Sequence, residues 1–274
     1  MRTIRIVKED YIMGTYAITG GSGGIGGQTV TLLKEAGNEV INIDLKGGNI
    51  SANLASVEGR REAIEELHQK CPDGLDGLIC NAGVSGAVKN PQLIISLNYF
   101  GTIEIAKGAF DLLKKKKGCC VVTSSNTISQ GAGRMDLVDL LNNSGNEQMI
   151  LNLISKWDSN DLSVGNSIYV ATKYALARWV RRMASSWAAR GVRVNAVAPG
   201  NVQTPMTAAL QGSARDALNA LPIPARFGQE ALMEPDEIAG AIVFLTSRYA
   251  AGINGNILFV DGGTDALLNS EKVY

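Results

Sequence analysis

The feature that most restricts the fold of this chain is a glycine-rich turn between an apolar strand and a helix. Residues 15–20 read TYAITG, a strand pattern, and the cluster TGGSGGIG leads from there into the helical pattern QTVTLLKEAG. Glycines at such a junction let the backbone approach a pyrophosphate, and the N-terminus of the helix stabilises the anion. The spacing Gly20, Gly24 and Gly26 therefore predicts a dinucleotide-binding turn. A glycine-rich turn without a ligand is the alternative, and methyltransferases and flavoproteins use similar turns.

The rest of the chain alternates strand and helix patterns. Further apolar strand patterns occur at 39–44, 75–83, 118–125, 192–200 and 255–263. Helical patterns separate them at about 56–70, 91–113, 166–190 and 235–247. Most of these strands are continuous apolar runs, which is typical of a parallel sheet with helices on both faces. No linker or repeat is evident, so we predict one α/β domain over residues 1–274.

Composition excludes several classes of function. Lys+Arg and Asp+Glu both number 26, so no net positive charge attracts nucleic acid or an anionic membrane. Arg248 interrupts the best apolar run and charged residues open the chain, so we expect neither a membrane span nor a signal peptide. His68 is the single histidine, which excludes a multi-histidine metal site, and we predict no metal. The four cysteines form no CxxC pair and indicate reduced thiols of a cytoplasmic protein.

Three segments lie outside the alternating pattern. Residues 1–12 form an N-terminal extension before the first strand, and 126–165 are a helical insertion with two amphipathic patterns. The apolar stripes of the insertion require burial, against the body of the domain or against a second subunit. Residues 201–232 read as a loop, and long connections of this kind usually form lids, binding loops or interfaces. We expect this loop and the insertion to line an apolar cleft with the side chains of Met206, Leu210, Leu218 and Leu221.

Asp44 ends the second strand and predicts the choice of dinucleotide. A carboxylate at this position accepts hydrogen bonds from an adenosine ribose and repels a 2′-phosphate. The glycine turn contains no Lys or Arg that would attract such a phosphate, and Lys46 is expected to point elsewhere. The sequence thus favours NAD over NADP, although an Asp that only caps its turn remains an alternative.

A second group of residues could carry chemistry. Tyr169 and Lys173 in YVATK are four residues apart, so on a helix they share one face about 6 Å apart. A single Y-x-x-x-K pattern is common by chance. Here it follows a strand that ends in Ser124-Ser125, and Asn98 lies in the preceding helix pattern, in SLNYFG.

Together these motifs resemble the short-chain dehydrogenase/reductase family. The matching residues extend from Met13 to the C-terminal region and keep the family order: TGGSGGIG, Asp44, CNAG, Asn98, VVTSS, YVATK, VNAVAPG and FVDGG. The resemblance implies a single doubly wound Rossmann domain with a seven-stranded parallel sheet. The helical insertion then enters just before the helix that carries the catalytic tyrosine.

The resemblance also implies the catalytic residues, which are Asn98, Ser125, Tyr169 and Lys173. A tyrosine with its ordinary pKa of about 10 is a poor base at neutral pH. The Lys173 ammonium and an oxidised nicotinamide are both cationic and would stabilise the phenolate. Ser125 would hydrogen-bond the substrate oxygen, Lys173 would also bind the ribose, and Asn98 would support a water relay.

The cofactor contacts implied by the resemblance come from six parts of the chain. The residues are Gly20, Ser22, Gly24, Ile25, Gly26, Asp44, Asn53, Leu54, Asn81, Ala82, Gly83, Tyr169, Lys173, Pro199, Gly200, Val202 and Thr204. Thr204 matches the position that holds the nicotinamide carboxamide. Asn53 departs from the family pattern, which usually has Asp near the adenine. We therefore expect a weaker contact with the adenine there but no loss of cofactor binding.

The long stretch between Ser125 and Tyr169 is the larger departure from the family pattern. With it, the architecture most resembles the bacterial 3α-hydroxysteroid dehydrogenase/carbonyl reductase subgroup. This implies an NAD-dependent oxidoreductase that interconverts an apolar secondary alcohol and a ketone, with a hydroxysteroid or bile acid as the first candidate. A coniferyl-alcohol dehydrogenase or a general carbonyl/alcohol dehydrogenase is the alternative, and a dinucleotide sensor without catalysis a distant one. The four-residue spacing of Tyr169 and Lys173 is unlike that of enoyl reductases.

The resemblance implies a homodimer or homotetramer. Many relatives form an interface from the helices that correspond to 91–113 and 166–190. Because the insertion 126–165 should crowd that surface, we expect the main contact at the other end of the sheet, with the strand 255–263 and the last helix.

Overall fold

A computed structural model describes residues 13–131, 133–226 and 232–273. The predicted N-terminal extension 1–12 and residues 227–231 of the predicted substrate loop lie outside the described residues.

The described residues form a seven-stranded sheet with the strand order β3-β2-β1-β4-β5-β6-β7, and every pair is parallel. The strands are β1 (Thr15–Thr19), β2 (Glu39–Asp44), β3 (Ile50–Ser51), β4 (Gly77–Cys80), β5 (Cys119–Thr123), β6 (Arg193–Pro199) and β7 (Ile257–Val260). The order reverses between β1 and β4, and ligands of doubly wound sheets bind at the carboxyl ends of the strands at such a point. This confirms the predicted doubly wound Rossmann architecture.

Helices cover both faces of the sheet. They are α1 (Gly24–Glu35), α2 (Val57–Lys70), α3 (Pro91–Leu93), α4 (Thr102–Gly108), α5 (Phe110–Lys116), α6 (Met135–Ser144), α7 (Glu147–Ile154), α8 (Leu162–Ala188), α9 (Pro205–Ala208), α10 (Gly212–Ala220), α11 (Pro235–Thr246) and α12 (Thr264–Leu268). Short 3₁₀ turns occur at Asn126–Ser129, Pro224–Arg226 and Arg248–Ala250. The predicted helix 91–113 is not one regular helix, because a π-helix over Ile94–Gly101 separates α3 from α4.

The central strands β4 and β5 are mostly apolar because both faces of the sheet are buried there. Leu78 and Ile79 are successive residues of β4, and both are fully buried. Leu78 belongs to the core beneath α2, α4 and α8, whereas Ile79 belongs to the core beneath α1 and α11. Successive side chains of a strand point to opposite faces, so one strand supplies both cores.

The helical insertion packs on its own domain. Leu137, Leu141, Ile150 and Ile154 of the two predicted stripes are buried in the main core. Asn142 Nδ2 of α6 also donates a hydrogen bond of 3.0 Å to the Tyr99 hydroxyl of the π-helix. Of the two ways to bury these stripes, the structure therefore uses the body of the domain.

A buried arginine fastens the insertion to helix α2. Arg60 is 1% exposed, and its Nε donates to Glu104 of α4 at 2.6 Å. One of its two terminal amino groups pairs with Glu147, at the start of α7, and the other donates to the Leu54 carbonyl at 3.3 Å. Replacing one partner of a buried ion pair leaves an uncompensated charge, which is strongly destabilising.

We expect Arg60→Ala to lower the free energy of unfolding by about 3 kcal/mol, because two carboxylates lose their partner. Arg61→Ala is the matched control, since Arg61 is 59% exposed and its ion pair with Glu65 lies at the surface. That control should change stability by less than about 1 kcal/mol. Denaturant unfolding of both variants measures the difference, and equal effects would contradict a special role for Arg60.

Candidate active site

The glycine turn brings the end of β1 into close contact with α1 and with the strand β4. A Cβ atom on Gly26 would lie 2.0 Å from the Gly20 carbonyl oxygen, and one on Gly20 would lie 2.8 Å from the Ala82 Cα atom. Gly20 and Gly24 also have positive φ angles of 70° and 55°. Side chains at these positions would fill the cradle, so the turn fits the pyrophosphate of a dinucleotide above the N-terminus of α1.

Side chains of β2 hold this turn in place. Asn42 Oδ1 accepts a hydrogen bond from the Gly21 amide at 2.9 Å, and Asp44 Oδ2 accepts one from the Ser22 amide at 3.1 Å. The Ser22 hydroxyl donates to the Lys46 carbonyl at 3.1 Å. The Asp44 carboxylate therefore lies at the outer edge of the turn, where the sequence predicts contact with the adenosine ribose.

The CNAG segment braces the site from the neighbouring strand. Thr19 Oγ1 accepts hydrogen bonds from the amides of Asn81 and Ala82 at 3.0 and 3.1 Å. The Asn81 amide group bridges the Gly20 carbonyl at 3.2 Å and the Thr123 hydroxyl at 3.2 Å. The Asn81 side chain is thus used within the protein and ties β1 to β5.

The turn after β6 reaches the glycine turn. A Cβ atom on Gly24 would lie 3.3 Å from the Thr204 Cγ2 atom, so Thr204 lies beside the helix N-terminus. Thr204 also caps α9 together with Thr207. Val202 is 4% exposed and Ile25 packs on the same core, so their side chains are largely committed to packing.

Asn53 and Leu54, the two residues predicted near the adenine, differ in exposure. Asn53 is exposed, and its Oδ1 accepts a hydrogen bond from the Ala55 amide at 3.1 Å within its own turn. Leu54 is 4% exposed, so its side chain belongs to the core, and its carbonyl already accepts a hydrogen bond from Arg60. The side-chain oxygen of Asn53, the residue at the position where the family usually has Asp, therefore already has one hydrogen-bond partner.

Lys173 is the most buried charged group of the site. It is 5% exposed, and its Nζ donates a hydrogen bond of 2.9 Å to the Thr123 carbonyl at the end of β5. The Ser124 hydroxyl donates in turn to the Lys173 carbonyl at 2.9 Å. Desolvation lowers the pKa of Lys173 from 10.5 to about 8.

Tyr169 lies one helical turn before Lys173. The Lys173 Nζ atom is 5.7 Å from the centre of the Tyr169 ring. Burial raises the pKa of the Tyr169 phenol, and the Ser125 hydroxyl beside it partly lowers that pKa. Ser125 also accepts a hydrogen bond from the Thr127 amide at 3.3 Å. The phenol, the ammonium and the hydroxyl therefore meet at the carboxyl end of β5.

Asn98 lies in the π-helix and holds the loop after β4. Its Oδ1 accepts from the Val84 amide at 2.8 Å, and its Nδ2 donates to the Val84 carbonyl at 3.0 Å. A Cβ atom on Gly83 would lie 3.1 Å from Asn98 Oδ1 and 3.6 Å from Lys173 Nζ. All four predicted catalytic residues are thus brought to one place, with Asn98 and Lys173 both close to the open side of Gly83.

A cavity of about 350 Å³ opens beside Gly83, between the loop after β4 and the start of the predicted substrate loop. Its lining residues are Gly83, Val84, Ser85, Ala87, Val88, Met206, Ala209 and Leu210. Met206 and Leu210 were predicted to line a cleft, but Leu218 and Leu221 lie outside this cavity. Val84 and Val88 were not among the predicted lining residues, although their position in the loop after a strand end could have indicated them.

The described part of the chain contains no cluster of three or more His, Cys, Asp or Glu that could hold a metal ion. In the same residues, no helix combines the length and the apolar character needed to cross a bilayer.

The lowered pKa of Lys173 predicts a stability cost. Folding disfavours its charged form, so the cost is complete below about pH 8 and disappears above about pH 10.5. We expect Lys173→Met to unfold less readily than the wild type near pH 7, by on the order of 2 kcal/mol, and to lose this advantage as the pH rises to about 10. Unfolding curves over this pH range test the prediction, with the exposed Lys107→Met as the control. A difference that does not depend on pH would contradict it.

Two protein families match successive parts of this chain. The short chain dehydrogenase family matches residues 15–136, and the family described as enoyl-(acyl carrier protein) reductase matches residues 137–265. A 3-alpha-hydroxysteroid dehydrogenase/carbonyl reductase of Comamonas testosteroni is 32% identical over 257 residues, which cover 93% of this chain and 98% of the relative. A coniferyl-alcohol dehydrogenase of a Pseudomonas species is 29% identical over 256 residues, covering 90% of this chain and 94% of that protein.

A solved structure shares the fold closely. The crystal structure of the 3-alpha-hydroxysteroid dehydrogenase from a Pseudomonas species, in complex with NADH, superposes with a TM-score of 0.86 at 34% identity. The superposition covers 94% of this chain and 99% of the other. The agreement extends over the whole sheet and its flanking helices.

Proposed function

The chain belongs to the short-chain dehydrogenase/reductase family, and on that premise we propose that it interconverts a secondary alcohol and a ketone with NAD, a hydroxysteroid being the first candidate substrate. The observation that carries the proposal is the meeting of Ser125, Tyr169 and Lys173 at the carboxyl end of β5, close to Gly83. Gly83 lines the apolar cavity, so the reactive groups and the space for a substrate adjoin each other.

Residues at the carboxyl ends of three strands, β1, β2 and β6, would hold the cofactor. The turn at Gly20, Gly24 and Gly26 fits a pyrophosphate, and Asp44 at its edge would accept hydrogen bonds from the ribose hydroxyls. Thr204 lies beside this turn and would bind the nicotinamide carboxamide. When bound, the nicotinamide supplies the hydride acceptor or donor of the reaction.

The protein side chains would manage the proton. Ser125 would hydrogen-bond the substrate oxygen, and Tyr169 would take the hydroxyl proton of the alcohol or return it to the ketone. Since burial raises the pKa of Tyr169, the phenolate requires positive charge nearby, and the Lys173 ammonium provides it. Asn98 would act by holding the Val84 backbone at the mouth of the site, where it can also support a water relay.

The cavity supports an apolar substrate. No charged side chain lines it in the described part of the chain, and its apolar lining residues include Val84, Val88, Met206 and Leu210. The relatives named for 3-alpha-hydroxysteroids give the same indication at about one third identity. An aryl allylic alcohol is the second candidate, because a relative named for coniferyl alcohol aligns over most of the chain. NAD reduction with regiodefined hydroxysteroids, cyclic alcohols and aryl allylic alcohols separates these substrates.

The free cysteines support a location in a reducing compartment such as the cytoplasm. All four cysteines are free and buried. Burial raises the pKa values of Cys71 and Cys119 to about 11, so these thiols form little reactive thiolate.

We expect Tyr169→Phe to bind NAD like the wild type but to reduce turnover at least about 10²-fold, because the ring remains and the proton carrier is lost. Tyr174→Phe on the same helix is the matched control and should retain activity. Steady-state rates together with NAD titrations test the prediction. Near-normal turnover by Tyr169→Phe would overturn the mechanism, and a wild type that turns over no ketone with NADH would favour a dinucleotide sensor.

Asp44 tests the choice of cofactor. We expect Asp44→Ala to narrow the preference for NAD, because the repulsion of a 2′-phosphate is removed. The ratio of kcat/KM for NAD to kcat/KM for NADP measures the effect in both proteins. A wild type that uses both cofactors equally well would show that Asp44 does not select NAD.

We further propose a homodimer or homotetramer with its main contact at the β7 edge of the sheet. Strand β7 is an edge strand whose four residues are all partly exposed, and the neighbouring Leu267 and Leu268 of α12 are 56% and 48% exposed. Unpaired strand edges and exposed apolar residues favour association. Helix α6 packs along α8, so the insertion occupies the other surface that relatives use.

Light scattering at micromolar concentration tests the assembly. We expect an oligomer for the wild type and weakened association for Leu267→Glu/Leu268→Glu, which places charge on the proposed contact. Met149→Glu/Leu153→Glu is the control, since these residues of α7 are 42% and 43% exposed on the insertion. A strictly monomeric wild type would refute the assembly, and dissociation only by the α7 variant would place the contact on the insertion instead.

A further inference from the structure

A buried carboxylate lies directly after β7, outside the predicted catalytic group. Asp261 is 4% exposed. Its Oδ1 accepts from the Gly263 amide at 3.0 Å, and its Oδ2 accepts from the Asp265 amide at 2.8 Å and from Asn126 Nδ2 at 3.5 Å. The amides of Gly263 and Asp265 therefore fix the orientation in which the carboxylate contacts Asn126.

Asn126 follows Ser125 in the chain and is itself 3% exposed. It opens the 3₁₀ turn Asn126–Ser129, for which Ser125 is the capping residue. The far end of this turn has a separate link to the C-terminal segment, because Asn269 Nδ2 donates to the Ser129 carbonyl at 3.2 Å. The turn that carries Ser125 is thus held at both ends from the segment after β7.

The same segment also holds other parts of the site. A Cβ atom on Gly200 would lie 2.8 Å from the Asp261 Cα atom, so Asp261 packs directly on the turn after β6. The Thr264 hydroxyl donates to the Pro222 carbonyl at 2.6 Å, which fastens the end of the substrate loop. Asp261 therefore lies where the Ser125 turn and the turn after β6 meet.

We propose that Asp261 is a positioning residue that, through Asn126, holds the Ser125 hydroxyl against Tyr169. This inference rests on the proposed function, because it assigns a role in that reaction. Because two backbone amides hold the Asp261 carboxylate in place, it offers Asn126 an acceptor that resists reorientation. Small displacements of a reacting group are costly, with about 10²-fold loss of rate for about 1 Å.

The role has a consequence for pH dependence. Ser125 from the β5 turn and Lys173 from the same helix face Tyr169, and the Asp261 carboxylate contacts Asn126 beside Ser125. The Ser125 hydroxyl lowers the pKa of Tyr169, so its displacement raises that pKa. Alcohol oxidation requires the phenolate, and the rise of activity with pH should therefore move to higher pH.

The experiment compares pH profiles of kcat and kcat/KM for alcohol oxidation in the wild type, Asn126→Ala and Asp261→Asn. Both variants are expected to lose about 10-fold or more in kcat and to shift the profile to higher pH, with the KM for NAD little changed. The matched control is Asn195→Ala, since Asn195 is also fully buried but bonds to Ile253 and Asn256 in the strand region. It should lower the melting temperature without moving the pH profile.

The outcomes separate the two proposals. If Asn126→Ala does not fold, the isosteric Asp261→Asn carries the test. Profiles of wild-type shape and height in the folded variants would overturn the role of Asp261, and so would an equal shift in Asn195→Ala. If Tyr169→Phe were also fully active, the proposed function itself would fail; if Tyr169→Phe is inactive while both variants resemble the wild type, only the positioning role fails.

Discussion

The active site depends on the hydrogen bond between Lys173 Nζ and the Thr123 carbonyl at 2.9 Å. This contact fixes helix α8 against the end of β5 and determines where Tyr169 lies, one turn earlier on the same face. Ser125 follows Thr123 by two residues, so the same contact sets the distance between the phenol and the hydroxyl. The bond also places the Lys173 amine in a buried position, and this burial lowers the pKa of Lys173 to about 8. Functional sites commonly tolerate such unfavourable burial because their chemistry requires it.

Most of the sheet could be predicted because its strands are buried on both faces. Six strands were predicted, most of them as continuous apolar runs, and each contains a strand of the structure. The exception is β3, which has only two residues, Ile50 and Ser51, and is too short to show a pattern. The π-helix around Asn98 was also missed, since an apolar segment of this length has the same composition whether its turns are regular or widened.

The residues of the site were recognisable from the sequence, but several of their contacts were not. The side chains of Asn81 and Asn98 hydrogen-bond to the backbone of neighbouring loops, and the Asn53 side chain accepts a hydrogen bond within its own turn. Such contacts depend on loop geometry, which local sequence patterns do not fix. Arg60 is a similar case, because its partners Glu104 and Glu147 lie on α4 and α7, far from it in the sequence. Their roles toward a cofactor and a substrate stay predictions.

Burial in the fold alone keeps the Tyr169 phenol protonated, and positive charge from Lys173 and an oxidised nicotinamide would favour the phenolate. Ultraviolet difference titration of the wild type against Tyr169→Phe measures the pKa of this phenol directly, without and with saturating NAD. The account predicts a pKa above the ordinary value of about 10 without NAD and a clear decrease when NAD is bound. The same pKa in both states would contradict it.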